Sequence, residues 1–93
     1  MSRQLELVKQ IYQSHQKQVD QGLDEMVEYY LSRGKYEDLM YSDRIFSVFE
    51  IGSEGVEYAE LLSEEGNEED ELDYLGVLLD KAVKRLSKKV MTQ

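Results

Sequence analysis

The chain has 93 residues, enough for one domain, and its 20 acidic against 11 basic residues give a formal charge of −9. The lack of Cys excludes disulfide frameworks, thiolate metal sites and cysteine nucleophiles, and a lone His excludes zinc chemistry built on His pairs. At 41% hydrophobic and 10% aromatic the chain is rich enough in core residues to fold, whereas its negative charge opposes binding to nucleic-acid phosphates and anionic membranes.

In the first segment Leu5, Val8, Tyr12, His15 and Val19 alternate three and four residues apart, which places them on one stripe of a helix. Asp20 is a candidate cap for a second helix carrying Leu23, Met26, Val27, Tyr30 and Leu31 and closed by Gly34; one helix running through Gly22 is the alternative. From Tyr36 to Ile51 the pattern weakens. Leu39, Met40, Ile45, Phe46 and Phe49 suit one or two short helices capped by Ser42 or Asp43, while the β-branched and aromatic run Arg44–Ile51 leaves a strand open. Ser53 then caps a helix bearing Val56, Ala59 and Leu62 and ended by Gly66. Asn67 caps the last helix, whose stripe is Leu72, Leu75, Leu79, Ala82, Val83, Leu86 and Val90. Acids crowd the start of that helix and Lys/Arg its end, as the helix dipole favours. Residues 1–93 are therefore expected to form a single compact helical domain, an all-α bundle of four or five helices. The first and last stripes should pack on each other, on the middle helices, or across the axis of a homodimer.

No catalytic constellation emerges. His15 lies on an apolar stripe and reads as a hydrogen-bonded structural residue, Gly52-Ser53-Glu54-Gly55 lacks the lysine of a phosphate loop, and the run Glu64–Asp73 lacks the ligand alternation of a calcium loop. Glu25 and Glu28, with Asp70 and Asp73, have the spacing of the acidic pairs that hold Mg²⁺ in all-α nucleotide pyrophosphatases. That is the weaker alternative; the expectation is no enzyme and no cofactor. The polar opening Met1-Ser2-Arg3-Gln4-Leu5-Glu6 lacks the apolar run of a secretory signal, and no window is long and apolar enough for a membrane span, so a cytoplasmic protein is expected.

Charge is distributed unevenly. Residues 1–35 sum to zero, residues 36–73 to −13 and residues 74–93 to +4. Glu54, Glu57, Glu60, Glu64, Glu65, Glu68 and Glu69 fall at spacings that line up like charges along a helix, a destabilising arrangement with no interleaved Lys. Carboxylates one turn apart repeat about every 5 Å, akin in kind to the charge of a nucleic-acid backbone. These seven residues, with Tyr41 and Tyr58 as aromatic anchors, are the predicted partner-binding set. The partner expected is a basic protein such as a nuclease or another nucleic-acid-binding protein, with no direct binding to nucleic acid or membrane. In size, charge and helicity the chain is similar to DNA-mimic inhibitors of restriction and CRISPR machinery and to immunity proteins that cap nucleases, although no motif assigns it to either group. The alternative is a structural subunit that assembles into a helical homo-oligomer, with its acids serving hydration alone.

Overall fold

The computed structural model describes residues 3–39 and 43–91. Four long helices, α1 (Arg3–Ser14), α2 (Gln16–Ser32), α5 (Gly52–Glu65) and α6 (Glu69–Met91), are joined by two single-turn helices, α3 (Tyr36–Leu39) and α4 (Arg44–Ser47). The expected all-α bundle is observed. Among the described residues there is no strand, and no helix is long and apolar enough to cross a membrane.

The first break falls at His15, not at Asp20–Gly22. His15 leaves helical geometry at φ −131° and ψ 40°, yet its backbone bridges the two helices: its N–H donates to the Ile11 carbonyl at 2.9 Å and its carbonyl accepts from Val19 at 2.9 Å. The His15 side chain makes no hydrogen bond among the described residues, so the structural role expected for it belongs to its main chain. Helix α2 then runs through Gly22, where a Cβ would stand 3.0 Å from a methyl of Val48, so the missing side chain admits the segment after α4. The end of α2 is as expected. Gly34 adopts φ +66°, its N–H donates to the Leu31 carbonyl at 3.1 Å and the next N–H, of Lys35, to Tyr30 at 2.9 Å; these are the paired bonds that close a helix through a left-handed residue.

The Arg44–Ile51 run is a helical turn followed by a tight bend, in which Ile51 is extended (φ −128°, ψ 122°) and its carbonyl accepts the first α5 bond, from Gly55 at 3.1 Å. This moves the start of α5 ahead of Ser53, and the Asp43 carboxylate makes no capping bond to α4. Ser42, the other candidate cap, lies outside the described residues. Gly66 closes α5 at φ +77°. Helix α6 is entered through Glu68, whose carbonyl accepts from Leu72 at 3.0 Å, so Asn67 stands one position upstream of the capping site.

The core is Leu7, Val8 and Ile11 of α1, Val19, Leu23 and Val27 of α2, Leu39, Ile45 and Phe49 of the middle segment, Tyr58 of α5, and Leu75, Leu78, Leu79 and Ala82 of α6. Helix α1 packs on α5 and α2 packs on α6, while further contacts of α1 with α6 and α2 join the two pairs. The apolar stripes are shifted in phase from expectation. On α6 Leu72 is 42% exposed and Glu71 takes the inward position; on α1 Gln4 is inward and Leu5 only half-buried; on α5 Val56 is 60% exposed while Gly55 and Tyr58 face inward. Each fully buried large side chain contributes about 1.5–3 kcal/mol, so packing outweighs the mutual repulsion of the surface acids.

Gly55 is where α5 meets the chain that precedes it. A Cβ there would lie 2.7 Å from the Phe49 carbonyl oxygen and 2.8 Å from the Glu50 carbonyl carbon, both backbone atoms that have no room to yield. Gly76 sits within α6 with nothing inside 4 Å of its would-be Cβ. Chemical denaturation should therefore find Gly55→Ala destabilising by about 1–3 kcal/mol from overpacking, and Gly76→Ala stabilising by about 0.5–1 kcal/mol from helix propensity.

Candidate protein-binding surface

Helix α5 is amphipathic in charge. Gly55 and Tyr58 are buried, and Leu61 and Leu62 half-buried, on the side that meets the core. Glu54, Glu60, Glu64 and Glu65 are exposed, and Glu69 continues the exposed acids into α6; Glu57 and Glu68 are half-buried. None of Glu54, Glu60, Glu64, Glu65, Glu68 and Glu69 is ion-paired with a described residue. The predicted set is thus placed largely on one helix and the turn that follows it.

Two members depart from expectation. Glu57 is already engaged within the chain: Arg3 of α1 donates through Nε at 3.2 Å and through one terminal nitrogen at 3.0 and 3.2 Å to its two carboxylate oxygens, and also approaches Glu6 at 3.9 Å. Tyr58 is not an exposed anchor. It is fully buried, edge-on to Phe49 with ring centroids 6.2 Å apart, because its position shares the inward phase of Gly55. Polar sequence neighbours hid this, since on a helix adjacent residues point in different directions. Tyr41 lies outside the described residues.

One group of charges serves the scaffold. Arg85 of α6 reaches two α2 carboxylates, Asp24 at 2.7 Å and Asp20 at 3.6 Å, and Tyr12 donates to Asp20 at 2.9 Å. Burial, followed by the bond to Asp20, pushes the Tyr12 hydroxyl above its ordinary value. Asp20, expected as a helix cap, is thus a tertiary contact between α1, α2 and α6. A separate cluster surrounds Tyr29, 42% exposed, with the Arg33 guanidinium 3.8 Å and that of Arg44 5.7 Å from its ring centre. It borders an open groove of about 420 Å³ floored by Gly22, Met26 and Val48. Glu25 and Glu28 are exposed on α2, and Asp70 and Asp73 on the start of α6. Among the described residues no three acidic or histidine side chains are arranged to hold a metal ion.

Sequence reasoning missed Gln4 and Glu71, two polar side chains with no exposed surface. The signal was their register, since Glu71 falls four residues before Leu75 and Gln4 four before Val8. Comparison with known protein families, curated proteins and solved structures finds no match for this chain.

The two arginine contacts differ in environment. The Arg3–Glu57 side chains are about half exposed, whereas Arg85 meets two carboxylates and is the more sheltered. Arg3→Ala should cost about 0.5 kcal/mol and lose its effect in about 0.5 M salt. Arg85→Ala should cost more and keep part of its effect at that salt, as read from denaturant midpoints.

Proposed function

We propose that this chain is a small acidic binding protein that occupies, and thereby inhibits, a basic nucleic-acid-handling partner in the cytoplasm, with no catalysis of its own. What supports the reading is the outward row Glu54, Glu60, Glu64 and Glu65 on α5, extended by Glu69 at the start of α6, whose carboxylates have no cation from the described residues against them. Asp20 and Asp24, by contrast, are bound by Arg85. Holding like charges along one helix carries a cost, and a partner rich in Lys and Arg relieves it while long-range attraction speeds the encounter. A groove shaped for phosphates is such a partner. Glu57 contributes less than its neighbours because Arg3 already neutralises it, and Tyr58 contributes only by holding α5 to the core.

Val56 at 60% exposed and Val77 at 54% favour a second reading, assembly of copies of the chain through apolar side chains. Sedimentation separates the two. The inhibitor reading predicts a monomer that changes mass when the basic partner is added, and the assembly reading an oligomer of the pure protein.

Affinity capture from the native host followed by mass spectrometry tests the first reading. It should retrieve a basic protein whose nucleic-acid binding falls as the chain is added. The combined variant Glu60→Lys, Glu64→Lys, Glu65→Lys should retain its helical circular dichroism and lose at least about tenfold in capture, the equivalent of 1.4 kcal/mol. Capture that survives both these reversals and half-molar salt would contradict the proposal.

A further inference from the structure

The junction where α1 packs on α5 and α6 buries a polar group from each of the three helices. Gln4 of α1, Tyr58 of α5 and Glu71 of α6 have no exposed surface. Gln4 fastens the end of α5 and the turn after it to α1, because its Nε2 donates to the carbonyls of Leu61 at 3.1 Å and Gly66 at 2.9 Å. Among the described residues no well-formed hydrogen bond reaches the Gln4 Oε1, the Tyr58 hydroxyl or either carboxylate oxygen of Glu71, although the Tyr58 hydroxyl and the Glu68 backbone N–H stand close enough to the Glu71 carboxylate to favour its charged form. Tyr58 and Glu71 lie within electrostatic range of one another. An ionised carboxylate in such a place is costly, whereas a neutral acid supplies its own donor and halves the demand.

We propose that Glu71 is a proton-operated latch on this junction: as the neutral acid it seats beside Tyr58 and keeps the first turn of α6 docked, and on losing its proton it draws that turn outward toward water. The inference is independent of the proposed partner binding.

The groups around Glu71 define the balance. From α5, the Tyr58 hydroxyl favours the charged carboxylate; from the entry to α6, the Glu68 backbone N–H favours it and the Glu68 carboxylate opposes it. From α1, Arg3 is bound to Glu57 and Lys9 lies over the Tyr74 ring, 5.6 Å from its centre. Further along α6, Arg85 is bound to Asp24 of α2. Among the described residues no cation is paired with Glu71. Burial outweighs the favourable groups and holds the carboxyl above its ordinary value of 4.5, and burial together with the neighbouring Glu71 also pushes the Tyr58 hydroxyl up. The sign follows. Below pH 4.5 the folded and unfolded chains both carry the proton; above it the unfolded chain releases the proton first, so stability is lost until the folded form releases it too.

Carbon-13 NMR of the side-chain carboxyls, with equilibrium unfolding of the full chain and of Glu71→Gln between about pH 4 and pH 8, tests the latch. The Glu71 carbon should titrate later than those of the exposed glutamates, and amide exchange in the first turn of α6 should quicken as it does. Relative to Glu71→Gln, the wild-type ratio of folded to unfolded chain should fall by about tenfold per pH unit until Glu71 ionises, then level off. Tyr58→Phe, which removes a group favouring the anion, should move that titration to higher pH. If the Glu71 carbon titrates with the exposed glutamates, or amide exchange at the α6 start ignores its titration, the proposal is overturned. The carbon titration is read on the unmutated protein and decides the matter even where a variant does not fold.

Discussion

The arrangement depends on burial of one face of α1. Helix α5 packs chiefly on α1 and α6 chiefly on α2, and α1 joins the pairs by touching both α6 and α2. Leu7, Val8 and Ile11 supply the apolar contact from α1, and Gln4 adds a polar one that no hydrophobic residue could make, two bonds to carbonyls at the end of α5 and the turn beyond. A helix terminus leaves carbonyls without partners, and satisfying the Leu61 and Gly66 oxygens from a neighbouring helix fixes where α5 ends and the angle at which α6 departs. The acids displayed on α5 are held in place by that attachment.

Electrostatics is divided between scaffold and surface. Where acids serve the scaffold they are matched, Asp20 and Asp24 with Arg85 and Asp20 also with Tyr12. Where they crowd the outer side of α5 they face water without a cation from the described residues, Glu57 excepted. Exposed charge costs little in water at physiological salt, because a screening length of about 8 Å spans little more than one turn. The fold therefore tolerates the crowding. Tolerance explains how such a surface persists; a cationic partner gives a reason to concentrate it on one helix.

Much of the architecture was legible in the sequence because helical periodicity and glycine punctuation are local signals. Gly34 and Gly66 end α2 and α5 through left-handed backbone, and the last helix spans most of its predicted extent. What was not legible came from tertiary contacts. The bend at His15 satisfies its own backbone bonds and carries no Gly or Pro to mark it. Gly22 interrupts no helix, because it exists to admit Val48. Leu72 and Val56 look like core by residue type, yet the stripe that packs is set by which side of the helix meets a neighbour, and Glu71 and Tyr58 occupy that side. The acidic character of α5 was readable residue by residue. The pairing of Glu57 with Arg3, 54 positions away in the chain, was not.

Partner inhibition requires the outer side of α5 to be a contact surface. The most direct test is NMR mapping of the isotope-labelled chain on addition of the basic protein captured from the host. Amide and carboxyl shifts should concentrate at Glu54, Glu60, Glu64, Glu65 and Glu69. Shifts confined to another face, such as the groove beside Tyr29 and Arg44, with the α5 carboxyls unmoved, would contradict that role.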